Sequence, residues 1–460
     1  MSGFTAVLTR FQLLEQHFRT DPGGETDVWR DIPVWPILRM AVMRRQSLSL
    51  ATYNLKANNP WGTDMPSWAW RTILDANLLH RNAAVPAISP DSDLVLCTHS
   101  MEHEFGSTQL GAVHPVVERV RRFRATGGTA SDRMVLCWQD NKPPGRSGRI
   151  GGEDGQVDIH LSFARAAGYF RARQMARDRQ LRGIITELLS HVDPLLEMPL
   201  DRESISLEIA KVIFWKKHFE NLFVRLNTKR VFIQCYYNVI GLGAVLAANK
   251  AGIESFDVQH GLGGSTHYAY SWSYAPASAR TILPTGFLCW SDFDVENIHQ
   301  SIPFGHSTHV AGANWGRWIE LHPALRNHLE KEVERLSRVT SGQRIVVYML
   351  ARGEDASMQR KVVAAAHPEG TRVAFRIHPL DRTAKAATVD PLDAAISDAW
   401  LPVVYEVAEA VIGQHSAACL EAALWGTKAV VFGPKAEFLF RSYTKVPSLT
   451  VCADLSEAVG

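Results

Sequence analysis

A strand–helix–strand unit in the middle of the chain restricts the fold more than any other feature. Residues 230–235 (Arg-Val-Phe-Ile-Gln-Cys) have the pattern of a buried strand, 240–251 that of an apolar helix, and 253–258 that of a second buried strand. Two strands joined by a crossover helix run parallel, and parallel sheets carry helices on their faces. The unit therefore predicts an α/β sheet that binds ligands at the carboxyl ends of its strands.

Further apolar runs extend this pattern into two series. The first series contains predicted strands at 93–97, 134–138 and 284–290 and predicted helices at 113–123, 161–189 and 203–226. The second contains strands at 343–350, 371–377, 410–412 and 429–432 and a helix at 418–425. A charged helix within 319–342 is the predicted linker. We therefore expect two Rossmann-like domains, 86–318 and 343–460, that face a central cleft.

The composition excludes several classes of protein. The chain has 460 residues, and its 49 Lys and Arg against 47 Asp and Glu leave a net charge of +2, which argues against a protein that coats nucleic acid. No apolar run is long enough to span a membrane, and the first residues lack the features of a secretion signal, so we expect a cytoplasmic protein. The six cysteines include no CxxC pair, which predicts buried free thiols rather than disulfides or a zinc site.

The first 85 residues differ from the rest of the chain. They contain five of the thirteen tryptophans and few strand-like runs. Residues 32–45 predict a helix with Pro36 in its first turn, where the missing N–H costs little. We expect this helix to pack on the first domain. Because it carries Arg39, Arg44 and Arg45, a peripheral position on an anionic membrane surface is the alternative.

The strongest candidate site lies at the end of the second strand of the central unit. The sequence Asp257-Val-Gln259-His260-Gly-Leu-Gly-Gly264 places a carboxylate, an amide and an imidazole beside three glycines, which let the backbone approach a substrate closely. Because parallel sheets bind ligands at this edge, the three polar side chains are candidate functional residues. The structural alternative is a glycine-rich turn with a helix-capping aspartate.

A histidine at a strand end of the second domain is the next candidate. His378 follows the predicted strand 371–377 and precedes Pro379. The proline biases His378 toward an extended conformation and aims its ring away from a continuing helix. A structural histidine with satisfied hydrogen bonds is the alternative.

The third candidate follows the predicted strand 410–412. Gln414 and His415 lead to Ser416, which falls at the N-cap of a predicted helix. The free N–H groups and the dipole of a helix N-terminus bind phosphate well. Glu421 lies one to two turns into the same helix, where a carboxylate accepts ribose hydroxyls. A capping serine and a surface glutamate are the structural alternative.

Several known motifs fail on inspection. Asp292-Phe-Asp294 matches a DxD metal motif, yet its place between a strand and a helix predicts that Ser291 or Asp292 caps the helix. Gly241-Leu-Gly243 lacks the third glycine of a dinucleotide fingerprint. The chain contains no P-loop motif, no HExxH and no metal-ligand spacing of His and Cys. We therefore expect neither a metal nor a cofactor.

Taken together, the three candidate motifs resemble those of the GT-B glycosyltransferases of bacterial surface polysaccharide assembly. The Asp-x-Gln-His-Gly at 257–261, the His-Pro at 378–379 and the Ser before a Leu-Glu-Ala-x-x-x-Gly helix at 416–426 are most similar to the retaining β-Kdo transferases of O-antigen and capsule synthesis. These enzymes are structural cousins of the bacterial sialyltransferases. The resemblance spans residues 230–450, and Val34-Trp-Pro-Ile-Leu-Arg39 adds a weaker match.

The resemblance implies a donor, an acceptor and roles for the site residues. The donor would be CMP-Kdo, the activated form of 3-deoxy-manno-oct-2-ulosonic acid, and the acceptor a lipid-linked oligosaccharide at the inner face of the inner membrane. His378 and Ser416 would hold the CMP phosphate, with Glu421 near the ribose. A retaining route would make Asp257 the nucleophile of a glycosyl-enzyme adduct.

Other residues would bind the sugar. Gln259 and His260 would orient the sugar or its carboxylate, and they separate the acidic residue from the glycine that follows it closely in the sialyltransferases. Arg352 and Arg376 are candidates to pair with the sugar carboxylate, or else are surface arginines. Hydrogen-bond donors such as His378 would stabilise the departing phosphate without a metal.

Two other functions stay open at this point. The chain could transfer another CMP- or CDP-activated group, such as sialic acid or glycerol phosphate, or it could be a GT-B-like binding protein without turnover. GT-B enzymes usually return a long closing helix to their first domain, whereas this sequence ends at Gly460, soon after a predicted strand at 448–451. We expect either a longer natural protein or an unusually short ending.

Overall fold

The structure of the protein is a computed structural model. It describes residues 9–10, 12, 28–29, 32–50, 91–98, 103–104, 112–126, 131, 133–139, 157–196, 200–272, 276–313, 315, 319, 323–340, 342–350, 354, 371–378 and 390–456. The tryptophans at 61, 68 and 70 and the sites predicted at Arg352 and Pro379 lie outside these residues.

The first domain is built on one parallel sheet. Within the described residues its strands are β1 (Ser92–Cys97), β2 (Arg133–Trp138), β3 (Val157–His160), β4 (Thr228–Ile233), β5 (Glu254–Val258), β6 (Gly286–Cys289) and β7 (Ser307–Val310). The strands lie in the order β7-β6-β5-β4-β1-β2-β3, and every neighbouring pair is parallel. The chain order reverses between β1 and β4, and doubly wound sheets bind ligands beside such a switch point.

Helices cover this sheet as the crossover unit predicts. They are α1 (Val34–Leu50), α2 (Pro115–Thr126), α3 (Ser162–Met175), α4 (Arg179–Val192), α5 (Arg202–Leu226), α6 (Val239–Ala251) and α7 (Asp292–Ser301). The helical stretch predicted over 161–189 forms two helices, because the Asp178 carboxylate accepts the backbone N–H groups of Gln180 and Leu181 and starts a new helix there. Helix α6 packs tightly on α5, since a Cβ at Gly243 would overlap the Trp215 Cβ.

Helix α1 packs against the first domain. Its residues 34–43 are buried without exception, and it contacts α5. The buried Arg39 guanidinium donates to the carbonyl oxygens of Tyr268, at 2.9 Å, and Ser271, and lies 4.0 Å from the Trp272 ring centroid. Arg44 and Arg45 both pair with Glu208 of α5. The three arginines are thus bound within the protein, and no helix in the described part of the chain is long and apolar enough to cross a membrane.

The second domain repeats the architecture on a smaller sheet. Its described strands are β8 (Arg344–Met349), β9 (Thr371–Arg376), β10 (Ala410–Gly413), β11 (Lys428–Phe432) and β12 (Leu449–Cys452). They run parallel in the order β9-β8-β10-β11-β12. The accompanying helices are α8 (Pro323–Val339), α9 (Pro391–Asp398), α10 (Leu401–Val407), α11 (Ala417–Trp425) and α12 (Pro434–Phe440). Two Rossmann-like α/β domains confirm the predicted fold class.

The boundary between the domains differs in detail from the sequence-based expectation. Helix α8 occupies most of the predicted linker 319–342 and packs against α9 and α10. It buries Leu325, Leu329 and Leu336 in the core of the second domain. This helix is therefore structurally part of the second domain.

The cysteines are free, as their spacing predicts. Five of them are buried, and Cys235 is half-buried. Burial raises the pKa of the Cys235 thiol to about 12 and raises the pKa of the Cys137 thiol further. Both groups are therefore protonated at neutral pH.

A buried carboxylate in strand β1 leads to a stability prediction. Asp93 accepts hydrogen bonds from Arg230 Nε at 3.0 Å and Nη2 at 2.7 Å, and its Oδ2 lies 2.9 Å from Arg124 Nε. Asp93→Asn leaves two largely buried guanidinium groups without their counter-charge, which should lower the free energy of unfolding by about 3–5 kcal/mol.

Asp91 supplies the matched control for this substitution. It is about half exposed and lies 3.4 Å from Lys229 Nζ. Asp91→Asn should therefore cost less than about 1 kcal/mol. Urea unfolding of the two variants measures the difference, and equal losses would contradict a stabilising role for the buried cluster.

Candidate active site

Asp257 lies inside β5 near the carboxyl edge of the first sheet. Its side chain is enclosed, with 1% of the residue exposed. Oδ1 accepts the Tyr236 backbone N–H at 3.2 Å, and Oδ2 accepts the Tyr270 hydroxyl at 2.7 Å. Burial raises the pKa of the carboxyl group to about 7, against the opposing effect of these hydrogen bonds. The cavity beside Asp257 has a volume of only about 10 Å³, which is too small for a sugar. A sugar therefore reaches Asp257 only if the residues that enclose this carboxylate move.

Gln259 links the end of β5 to neighbouring elements. Its amide Nε2 donates to the Gly261 carbonyl at 3.0 Å and to Asp294 Oδ1 at 2.7 Å, while its Oε1 accepts the Trp290 N–H at 2.7 Å. Asp294 Oδ1 also accepts the Tyr443 hydroxyl of the second domain at 2.7 Å. The Gln259 side chain is therefore engaged within the protein in this arrangement, rather than directed at a ligand.

His260 follows at the same edge and is half-buried. Its Nε2 lies 3.2 Å from the Tyr237 hydroxyl, and the two rings stack with centroids 5.9 Å apart. Burial, and next the charge of Arg119, lower the pKa of His260 to about 4. The ring is therefore neutral at neutral pH, and of the three predicted residues here it is the most open.

The predicted phosphate site occupies the carboxyl edge of the second sheet. Ser416 is the N-cap of α11, and its hydroxyl accepts the Ala418 N–H at 3.4 Å. His415 Nδ1 lies 3.2 Å from Glu354 Oε1, and burial together with the charge of Lys435 lowers the pKa of His415 to about 4. Gln414 is half-buried beside it, and His378 is half-buried after β9.

Glu421 lies in a pocket between the two domains. The pocket has a volume of about 700 Å³. Its walls come from the end of β6, the segment after β7, and helices α8, α10 and α11: Trp290, Gly312, Ala313, Trp315, Ile319, Arg326, Leu329, Glu330, Val333, Glu406, Glu421, Leu424 and Trp425. Glu421 is buried at 6% exposure, so the alternative of a surface glutamate is wrong. Indole faces and carboxylates together suit a sugar or nucleoside.

Arg376 has a different role from the one predicted. Its Nη1 donates to the carbonyl oxygens of Ile396 at 2.5 Å and Ala399 at 2.7 Å, at the end of α9. Cations and donors at a helix C-terminus satisfy its free carbonyl groups. Arg376 therefore stabilises the second domain here and does not point to a sugar carboxylate.

Residues outside the three predicted motifs complete the site. Tyr270 binds Asp257, and Tyr443 joins the domains by donating to Asp294 and accepting the Gly263 N–H at 3.0 Å. Arg119 of α2 is fully buried among valines. The only signal for Arg119 in the sequence is a charged residue on the apolar face of a predicted helix, which periodicity alone does not separate from an ordinary surface arginine.

The fold and the site define a two-domain α/β protein that has a pocket between its domains and polar side chains at the carboxyl ends of its strands. No family model matches the chain, and no curated protein matches it. Among solved structures the chain is similar to the UDP-GlcNAc 2-epimerase from Methanocaldococcus jannaschii, with 11% identity over 80% of this chain and 90% of that one and a TM-score of 0.42.

Two further solved structures are similar to this chain at comparable identity and TM-score. The UDP-GlcNAc 2-epimerase from Neisseria meningitidis bound to UDP-GlcNAc has 10% identity over 80% of this chain and 90% of that one, with a TM-score of 0.40. The wall teichoic acid polymerase TagF, in a structure soaked with CDPG, has 8% identity over 85% of this chain and 86% of that one, with a TM-score of 0.39. At such identities these similarities assign no activity.

The raised pKa of Asp257 predicts a pH-dependent stability. In the unfolded chain this carboxyl group titrates near its ordinary value of about 4. Between about pH 4 and pH 7 the folded protein therefore binds more protons than the unfolded chain, and its stability falls as the pH rises. Asp257→Asn removes this titration, so the stability of the wild type relative to this variant should fall over that range and then level off.

Thermal unfolding across this pH range measures the effect. Tyr270→Phe removes a hydrogen bond that favours the carboxylate, which should raise the pKa of Asp257 further. The decrease in stability should therefore extend to higher pH in this variant. A stability difference between wild type and Asp257→Asn that stays constant with pH would contradict the assignment.

Proposed function

We propose that the protein is a GT-B glycosyltransferase that moves Kdo from CMP-Kdo to a lipid-linked oligosaccharide in bacterial O-antigen or capsule synthesis. The observation that carries the proposal is the pocket of about 700 Å³ between the domains, which is lined by residues of both domains. Glu421 lines this pocket, and Ser416 begins the helix that carries it. A nucleotide held along α11 would direct its activated sugar toward the first domain.

The second domain would bind the nucleotide. The N-terminus of α11 offers backbone N–H groups and a positive dipole for the phosphate. His378 and His415 would add ring donors, and Glu421 would accept the ribose hydroxyls. Pro379 follows His378 in the sequence and Gln414 precedes His415, so both belong to the proposed site. Neutral histidines, such as His415 with its pKa of about 4, donate hydrogen bonds to a phosphate without a net charge.

The first domain would supply the reacting group. On a retaining route an Asp257 oxygen attacks the anomeric carbon, the bond from that carbon to the CMP phosphate oxygen breaks, and CMP leaves with the electron pair. The acceptor hydroxyl then displaces the carboxylate and loses its proton. The hydrogen bond from Tyr270 would orient the nucleophile, and movement of Tyr270 and its neighbours would open the path to Asp257.

One observation favours a second candidate function. His260 is half-buried and neutral, whereas Asp257 is enclosed. A neutral imidazole at this edge could accept the proton of an acceptor hydroxyl in a direct displacement, including transfer of glycerol phosphate from a CDP-activated donor. In that case the nucleotide would occupy the same pocket, and Asp257 would only hold Tyr236 and Tyr270.

Nucleotide binding is tested by calorimetry with CMP. His378→Ala and Ser416→Ala should each weaken CMP binding roughly tenfold, because each removes a hydrogen bond to a charged phosphate. Ser190→Ala is the control, because the hydroxyl of this exposed serine in α4 donates to the carbonyl of Glu187 in its own helix. If both site variants unfold at the wild-type temperature and keep the wild-type affinity for CMP, the nucleotide does not bind at this edge of the second sheet.

Transfer is tested by incubating the protein with CMP-Kdo and measuring its intact mass. The wild type should gain the mass of one Kdo residue, and Asp257→Asn should not. Because the pKa of Asp257 is about 7, adduct formation should also accelerate as the pH rises through that value. CDP-glycerol is the parallel donor. Phosphorus in the product together with loss of activity in His260→Ala, but not in Asp257→Asn, would favour the second candidate.

A further inference from the structure

The side chain of Arg119 is buried without a counter-charge in contact. It is 0% exposed, and its terminal nitrogens Nη1 and Nη2 have no hydrogen-bond partner among the described residues. Its hydrogen bond, from Nε to the Pro115 carbonyl at 3.4 Å, is long. No carboxylate of the described chain lies within ion-pair distance of it, whereas the half-buried Arg124 of α2 and the buried Arg230 of β4 pair with Asp93.

The guanidinium lies at the edge of the sheet where ligands bind. Pro115 is the first residue of α2, so the contact with its carbonyl brings Arg119 back to the start of that helix. The helix start is anchored to the end of β1 by His114 Nε2, which lies 2.8 Å from the Thr98 carbonyl oxygen. Helix α2 also packs on β5, the strand that carries Asp257. Arg119 therefore belongs to the edge that faces the second domain.

The charges around Arg119 come from both domains. Burial lowers its pKa to about 9, and among charged neighbours Glu421 of the pocket opposes this most strongly, Arg122 adds to it, and Asp257 opposes it more weakly. The group is therefore still cationic at neutral pH. The oxygens of Asp257 are already taken by Tyr236 and Tyr270, and Glu421 belongs to the other domain.

A buried cation without a hydrogen-bonded partner is costly, and proteins usually pair such groups. The guanidinium has already lost its hydration in the folded protein. Binding an anion therefore carries no further desolvation cost for this group, which makes it an effective anion receptor. A guanidinium offers parallel N–H donors in a planar fork that matches the two oxygens of a carboxylate.

We infer that Arg119 binds the carboxylate of the donor sugar and so selects an acidic sugar over a neutral one. This inference rests on the proposed function, since it places an acidic sugar between Asp257 and Glu421. It also replaces Arg376, which the sequence suggested for this role, because Arg376 donates to carbonyl oxygens at the end of α9. The other suggested arginine, Arg352, lies outside the described residues. The phosphate stays with the second domain, at the start of α11.

The test measures ligand-induced shifts in thermal unfolding and calorimetric affinities of the full chain. The probes are free Kdo, its neutral methyl ester, CMP and inorganic phosphate. In the wild type Kdo should bind roughly tenfold to a hundredfold more tightly than the ester. In Arg119→Met this preference should vanish while CMP affinity stays unchanged. Arg119→Lys should keep part of the preference, because it retains the charge without the fork.

Two further comparisons make the result decisive. Arg119→Met should unfold at a temperature equal to or above that of the wild type without added ligand, because it removes an unpaired buried charge. Arg121→Met, on the same helix but paired with Glu118, should keep the preference for Kdo. Equal preference for Kdo in wild type and Arg119→Met would overturn the inference, and so would weaker binding of CMP or phosphate in Arg119→Met.

The outcomes also separate this inference from the proposed function. If the wild type transfers Kdo and Arg119→Met still prefers Kdo to its methyl ester, the proposed function stands and the inference about Arg119 is wrong. If Kdo binding depends on Arg119 but the protein forms no product from CMP-Kdo, the inference stands as a binding property and the proposed function is wrong.

Discussion

The buried amide of Gln259 is the contact on which the arrangement of the site depends. It donates to Asp294, accepts the backbone N–H of Trp290, and through Asp294 shares a partner with Tyr443 of the second domain. One side chain thus joins the ends of β5 and β6 to the opposite domain. Because an unpaired amide or carboxylate is costly in such a dry setting, these bonds stabilise one another as a set. They hold the turn after β5 against the second sheet.

Burial also determines the charges along this edge. The pKa of Asp257 rises to about 7 while the pKa values of His260 and His415 fall to about 4, so both histidines are neutral at neutral pH. Arg119 keeps its charge under the same conditions, because a guanidinium starts from a far higher pKa. Arg119 therefore contributes positive charge near Asp257, whereas the two histidines contribute directional hydrogen bonds.

Much of the fold follows from local patterns in the chain. Apolar runs of strand length separated by helical segments predicted the parallel strands of both sheets except β3 and β7, because each pattern depends only on neighbours in sequence. Capping chemistry was less visible, and Asp178 divides a stretch that periodicity presents as one helix. The positions of Asp257, His415 and Ser416 at strand ends were also predictable, because the carboxyl edge of a parallel sheet is set by topology.

The chain itself thus determined two α/β domains and the strand ends at which polar side chains gather. Tertiary structure decided what those side chains touch. Gln259 turned inward because Asp294, distant in sequence, offers it a carboxylate, and Arg376 turned to the end of α9 because free carbonyl groups lie there. Arg119 is buried because it lies on the part of α2 that also buries Val116, Val117 and Val120. Hydrogen bonds and desolvation depend on neighbours that only the folded chain brings together, which is why the roles of these three residues lay beyond the reach of sequence pattern.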